Sequence, residues 1–439
     1  MNEATLRFVR QHADDDVRQL ALRGSKDPEV DLTAALEQIQ GRQTALRKLP
    51  SWAACEGLHY PPHLSMEQCS SEQSARYKAA VLQAWLTAAS SSSQPVASAE
   101  SLFVDLTGGF GVDFSFLARG FKQAVYVERQ SHLCQLARHN FQHLGLAEAR
   151  VEEADAAEFL QQLSHAAAIF LDPARRDAQG SRTYGIADCT PDVLTLRDEL
   201  LDKADVVLLK LSPMLDWRKT VADLGADCVR EVHIVSVGGE CKELLVLLSR
   251  QGSGLKLFCV NDEEVLEMPA DDQVQPTALE GFSAVPGVLD GSTPHTMTSE
   301  ASTPNTMMPE ASTPNTMTPE AFAYLYEPNA SVMKAGCFRF LSQRFGVVQV
   351  APNSHLFLSQ QPVAQFPGRS FRIVATTSMN KKELKQALAG IRQANITIRN
   401  FPLSVAQLRQ RLKLADGGSH YLFATTWADG SHRLLICER

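Results

Sequence analysis

The chain has 439 residues, of which 44% are hydrophobic and 21% charged, so it can bury the cores of two or three domains. No apolar run approaches the ~20 residues that a bilayer-spanning helix needs, and no membrane role is expected. The formal charge of −8 is unevenly spread: residues 322–439 hold 15 Lys/Arg against 5 Asp/Glu, a net of +10 that leaves −18 on the rest. A basic tail on an acidic chain points to a polyanionic partner at the C-terminal end. The nine cysteines are scattered singly with no C-x-x-C, which argues against a disulfide framework and against a zinc site, and no metal is expected. The opening stretch, "MNEATLRFVRQHADDDVRQ", carries acids where a secretory leader would be apolar, and the expected location is the cytoplasm.

Residues 1–98 read as amphipathic helices, with apolar spacing such as Leu32, Ala35, Leu36 and Ile39. Ser70 and Ser71 are good cap types before the helical run that ends near Leu86. From residue 99 to 268 the texture changes to strand-length apolar runs separated by helices: 102–106, 124–128, 149–155, 168–172, 206–211, 231–237 and 243–249. Continuous apolar runs mean strands covered on both faces, and their alternation with helices predicts a doubly wound, mostly parallel, seven-stranded α/β sheet of Rossmann type. The last two runs are close enough to form an antiparallel pair. Residues 269–321 form a linker containing three near-identical decapeptides, "STPHTMTSEA", "STPNTMMPEA" and "STPNTMTPEA", too rich in Pro, Thr and Ser to bury a core. A connector, 322–366, leads to a small α+β module, 367–439, read as strand, helix, strand, helix, strand, strand.

Four strand ends carry the chemistry. "FVDLTGGFGVDF" places Asp105 at the end of the first strand and glycines at 108, 109 and 111 in the turn, where open sheets bind ligands. A dinucleotide fingerprint begun at Gly109 would need glycine at Phe114, and a P-loop would need Gly-Lys-Ser/Thr, so neither diphosphate motif is complete. Glu128 ends the second strand, where an acid accepts both hydroxyls of a ribose, and Asp155 ends the third, within reach of an adenine amino group. "IFLDPARRD" ends the fourth at Asp172-Pro173, with Arg175 and Arg176 following. Together the acids describe a nucleoside site that needs no diphosphate.

These motifs, with "LSMEQCSSEQSARYKA", "LDPARR", "LKLSPMLD", "GGECKELL", "YLYEPNASVMKAG", "RNFPLSV" and "DGGSHYLFATT", resemble the bacterial class I S-adenosylmethionine-dependent methyltransferases that carry a C-terminal THUMP-like domain. The resemblance spans nearly the whole chain except the decapeptides. It implies that Asp105, Thr107, Gly108, Gly109 and Gly111 hold the methionine part of S-adenosylmethionine. Glu128 would hold the ribose, Asp155 the adenine, and Gln68, Ser70, Ser71 and Lys78 would cover the cofactor. Asp172, Pro173 and Arg175 would form the catalytic corner, with Ala174 and Arg175 standing where amino-methyltransferases carry a second proline and an aromatic. Arg176, Lys210 and Ser212 would face the substrate. Residues 322–366 look like a ferredoxin-like connector. The THUMP-like domain implies capture of tRNA or another structured RNA through basic residues, among them Lys381, Lys382, Arg399, Arg409 and Arg411. The expected activity is methylation of an RNA base. A cofactor-binding protein without catalysis, a methyltransferase acting on protein or a small molecule, and a nucleotide-dependent oxidoreductase remain as rivals, and the sequence says nothing of oligomeric state.

Overall fold

The computed structural model describes residues 1–91, 101–175, 185–270 and 321–439. The decapeptides, Arg176 and the Arg175 side chain lie outside the described residues. Two compact units are present among the described residues: residues 1–237 with 242–256, and residues 238–241 with 257–270 and 321–439. No helix among the described residues is long and apolar enough to cross a membrane.

Six helices open the first unit: α1 (Glu3–Gln11), α2 (Val17–Arg23), α3 (Leu32–Lys48), α4 (Pro50–Ala53), α5 (His63–Gln68) and α6 (Glu72–Ser91). They pack on the start of the next domain, for Leu49, Trp52, Met66 and Ala75 share one buried cluster with Phe110 and Val112. Strands and helices then alternate: β1 (Leu102–Asp105), α7 (Val112–Leu117), β2 (Gln123–Glu128), α8 (Ser131–His143), β3 (Arg150–Glu153), α9 (Ala156–Gln162) and β4 (Ala166–Leu171). The two-residue strands β5 (Ala174–Arg175) and β6 (Cys189–Thr190) pair with each other. After them come α10 (Val193–Lys203), β7 (Ala204–Leu211), α11 (Trp217–Leu224), β8 (Val229–Val237), β9 (Glu240–Leu248), β10 (Lys256–Asn261) and β11 (Glu264–Met268).

The main sheet runs β11-β10-β8-β9-β7-β4-β1-β2-β3. Strands β1, β2, β3, β4 and β7 are parallel, and β9 is antiparallel to β7. Every residue of β4, "AAAIFL", is buried, as a strand covered on both faces requires. The seven expected strands are present. The sheet has nine, because β10 and β11 add a hairpin whose mixed polar and apolar pattern, "KLFCVN" and "EVLEM", gives a weaker signal. The expected pair β8 and β9 are neighbours joined by Gly238-Gly239, whose φ of 61° and 78° suit a tight two-residue hairpin turn. Strand order reverses between β1 and β4, and the loops after these strands therefore part to leave a crevice.

The second unit holds β12 (Tyr324–Pro328), α12 (Ala330–Ala335), α13 (Phe338–Phe345), β13 (Val348–Gln349), β14 (Phe357–Ser359) and β15 (Gly368–Ser378). It continues with α14 (Lys381–Ala387), β16 (Asn395–Arg399), α15 (Val405–Leu412), β17 (His420–Thr426) and β18 (His432–Glu438). One seven-stranded sheet, β13-β14-β12-β15-β18-β17-β16, runs through both the connector and the C-terminal module. The long β15 joins them, pairing with β12 on one side and β18 on the other. Helices α14 and α15 close one face through Leu384 and Leu408, packed on Leu422, Leu434 and Ile436. The buried Glu327 binds Arg399 at 2.7 Å and also pairs with Arg369, tying β12 to β15 and β16.

Candidate functional site

The crevice at the ends of β1, β2 and β4 is a cavity of about 340 Å³. Its lining includes Gln68, Asp105, Thr107, Gly108, Gly109, Gly111, Glu128, Asp155, Asp172 and Lys210, so the loops after the first four parallel strands open onto one space. Sequence spacing explains how. A parallel strand delivers its last residue to the same sheet edge each time, and the following helix starts there.

The glycine loop is built around Tyr126 of β2. A Cβ at Gly108 would lie 2.2 Å from that ring, and Gly111 adopts φ of 85°, so both positions need glycine. The Tyr126 hydroxyl donates to the Gly109 carbonyl. Phe114, where a dinucleotide fold would have its third glycine, is fully buried, stacked 4.8 Å from Phe141 and edge-on to Tyr126. Glu128 accepts from the Gly109 N–H at 3.0 Å and from the Gln130 N–H at 2.9 Å, which fixes both its oxygens against the loop. Asp155 caps α9 through Oδ1 alone. Asp105 is 1% exposed; burial drives its carboxyl pKa well above the ordinary range, opposed by a hydrogen bond from Thr107 N–H and reinforced by Asp113, Asp172 and Glu128.

Asp172 is reached from two sides. Its N–H donates to Thr107 Oγ1 at 2.6 Å, and its carboxylate forms a salt bridge with Lys210 at the end of β7. Burial disfavours the Lys210 ammonium, yet Asp172 and Asp113 outweigh it and raise the pKa above the usual lysine value. Asp113, at the start of α7, accepts from the Ser70 hydroxyl at 2.7 Å and lies 3.1 Å from Lys78. Burial alone would raise the Asp113 pKa, but Lys78 and Lys210 bring it below the usual value.

Several expected site residues stand elsewhere. Ser71 accepts from Ser74 N–H at 3.2 Å as the cap of α6, and does not line the cavity. Lys78 is fully buried behind the wall, bound to Glu243, so it braces the site instead of covering a ligand. Pro173 is buried and outside the lining, and Ser212 accepts from Met214 N–H in the turn after β7. Arg399 is committed to Glu327, and Arg409 to Asp416 and the Ala394 and Ala415 carbonyls; both serve the fold of the second unit. Lys381, Lys382 and Arg411 are exposed on α14 and α15 and take part in no salt bridge among the described residues.

The sequence reading missed Asp113, Cys69, Thr190 and Pro191 in the lining and Glu243 behind it. Asp113 follows the glycine loop directly and Glu243 is an acid set against the apolar run "LLVLL" of β9, two signals present in the sequence. Thr190 and Pro191 reach the cavity because β6 pairs with β5, which no local pattern announces.

Family models match three stretches: "THUMP domain-like" at 368–439, "ferredoxin-like domain" at 324–367, and "Conserved hypothetical protein 95" at 83–183. Comparison with curated proteins finds no match. Among solved structures, a candidate methyltransferase from Porphyromonas gingivalis W83 is 31% identical over 99% of this chain and 97% of that one, with a TM-score of 0.74. An rRNA methylase from Streptococcus thermophilus is 15% identical over 39% of this chain and 94% of its own, with a TM-score of 0.28. An RNA methyltransferase from Salinibacter ruber, in complex with S-adenosyl-L-homocysteine, is 18% identical over 39% and 93%, with a TM-score of 0.26. At those two scores nothing is carried over to this chain. The likeness to the Porphyromonas gingivalis protein runs from end to end, and it makes the chain a member of the bacterial family of class I S-adenosylmethionine-dependent methyltransferases that carry a C-terminal THUMP-like domain.

Proposed function

We propose that the protein is an S-adenosylmethionine-dependent methyltransferase of structured RNA, with tRNA as the first candidate. The charge of the cavity carries this reading. Asp105, Asp113, Glu128, Asp155 and Asp172 face only Lys210 and Arg129 among the charged residues of the described lining. Such a site repels a diphosphate and attracts a ligand with a sulfonium and an ammonium. Bound there, the cofactor supplies an electrophilic methyl group on sulfur. Asp105 and the loop at Gly108, Gly109 and Gly111 would hold the methionine part, Glu128 the ribose hydroxyls and Asp155 the adenine amino group, while Gln68 closes the cavity from α5. Glu128 suits its role because each of its fixed oxygens keeps a second lone pair for a hydroxyl. Asp172 and Lys210 stand on the acceptor side, where in-line transfer needs alignment and exclusion of water more than a strong base.

RNA as substrate is supported by the THUMP domain-like match and by the surface of α14, α15 and the segments that follow each helix. There Lys381, Lys382, Lys385, Arg392, Arg411 and Lys413 are all exposed. Calorimetry tests the cofactor site: the parent protein binds S-adenosylmethionine and ignores nicotinamide dinucleotides, and Glu128→Ala weakens binding by about tenfold or more, the worth of one charge-assisted hydrogen bond. Unaltered affinity in that variant would overturn the assignment.

A further inference from the structure

The acceptor atom can be read from a line of charges that ends at the cavity. Glu243, Lys78, Asp113, Lys210 and Asp172 alternate in sign. Lys78 Nζ lies 2.8 and 2.9 Å from the two Glu243 oxygens and 3.1 Å from Asp113, and Lys210 stands 3.9 Å from Asp113 in addition to its salt bridge with Asp172. Lys78 is fully buried and Glu243 is 2% exposed, so only the Asp113–Lys210–Asp172 end borders the cavity. Burying paired charges costs several kcal/mol in desolvation, which makes the array weak as a source of stability. It makes sense as a brace that holds the Lys210 ammonium beside Asp172.

That pair offers a bound group one acceptor and one cation donor. An exocyclic amine brings N–H groups that suit Asp172 but meet the N–H groups of Lys210 with like polarity. A base carbon needs a neighbouring thiolate to activate it. The cysteine of the lining, Cys69, donates to the Met66 carbonyl, and burial pushes its thiol up to about 11. A flipped base stacks on an exposed ring or a guanidinium plane, and the rings of the described lining, Phe110 and Phe170, are 7% and 1% exposed and belong to the core. A hydroxyl fits. Its O–H donates to Asp172 while its oxygen accepts from Lys210.

We propose that Asp172 and Lys210 bind a hydroxyl as the methyl acceptor, namely the 2′-hydroxyl of a ribose in RNA. This rests on the RNA methyltransferase reading and departs from the base expected on sequence. The hydroxyl oxygen bonds to the methyl carbon of the sulfonium donor as the carbon–sulfur bond breaks. The bonding pair stays on sulfur as a neutral thioether, and the hydroxyl proton passes to the Asp172 carboxylate. Lys210 stabilises the negative charge that grows on oxygen. Lys78 and Glu243 act through Asp113 as positioning residues.

The test uses the full-length protein, methyl-labelled S-adenosylmethionine and total RNA from cells lacking the protein, followed by alkaline hydrolysis. A 2′-O-methyl group blocks cleavage at its own phosphodiester, so the expected label appears in alkali-stable dinucleotides. Label in mononucleotides carrying a methylated base overturns the proposal and leaves the RNA reading intact. No label in RNA, from protein that binds the cofactor, overturns the RNA reading and this proposal with it. Lys210→Met is expected to lose transfer by about 100-fold or more while its affinity for S-adenosylmethionine stays within about threefold of the parent. Undiminished transfer, or an equal loss of cofactor binding, places Lys210 outside the acceptor site. Lys210→Arg, which keeps the salt bridge, restores the melting temperature if Lys210→Met lowers it, and separates folding from transfer.

Discussion

Asp105 bears the cavity's electrostatic strain. Its carboxyl is almost wholly buried, three other acids surround it, and the fold therefore binds its proton more tightly than the unfolded chain does. Stability is lost at this residue as pH rises from the ordinary aspartate range toward the raised pKa. Asp105→Asn keeps an acceptor for the Thr107 N–H and removes the charge. The ligand-free variant is expected to melt a few degrees higher than the parent at pH 7, to melt at the same temperature where both side chains are neutral, and to bind S-adenosylmethionine more weakly. Differential scanning calorimetry across pH checks this, and a variant melting lower at pH 7 contradicts it. On the proposed cofactor reading, the cost at Asp105 is that of a site made for a cation, which a stability argument alone would not retain.

At the scale of elements, the segment leading into α5 is clamped to α8. Asn140 accepts from His59 N–H at 2.9 Å and donates to the His59 carbonyl at 2.8 Å, and the His59 and His139 rings stack at 3.9 Å. Burial first, then the charges of His139, the chain's N-terminus and His143, lower the His59 pKa from 6.5 to about 4. The fold favours the neutral ring, so the stability it contributes is complete above the ordinary histidine pKa and is lost as pH falls from 6.5 toward 4. The melting temperature is expected to fall across that window in the parent and less steeply in His59→Gln, with little difference near pH 7.5. Parallel curves would remove His59 from the account. The clamp bears on function because α5 brings Ser65 and Gln68 to the cavity.

For the whole molecule, charge is divided by task. The net of +10 over residues 322–439 sits on a module whose exposed lysines lie on α14 and just after α15, while the other 321 residues carry −18 and the acidic cavity. Reversing Lys381, Lys382 and Lys385 together to glutamate is expected to weaken RNA binding by about tenfold or more at low salt and to lower the salt slope by up to about three. Cofactor affinity should not change, and filter binding beside calorimetry reads both. Equal RNA affinity in the triple variant would move the nucleic-acid surface elsewhere.

What the sequence determined by itself was local. Unbroken apolar runs specify strands covered on both faces, and such strands deliver Asp105, Glu128, Asp155 and Asp172 to one edge, because the end of a parallel strand is a position along the chain. The charge division was likewise a matter of counting. Tertiary structure decided which ionised groups meet. Lys78 and Glu243 are 165 residues apart, and Glu327 finds Arg399 across 72. Tertiary structure alone added β10 and β11 to the sheet edge and brought Thr190 to the cavity wall. Periodicity records which face of an element is apolar, but not the partner that a buried charge acquires when distant elements close on each other, and at this cavity those partners set the chemistry.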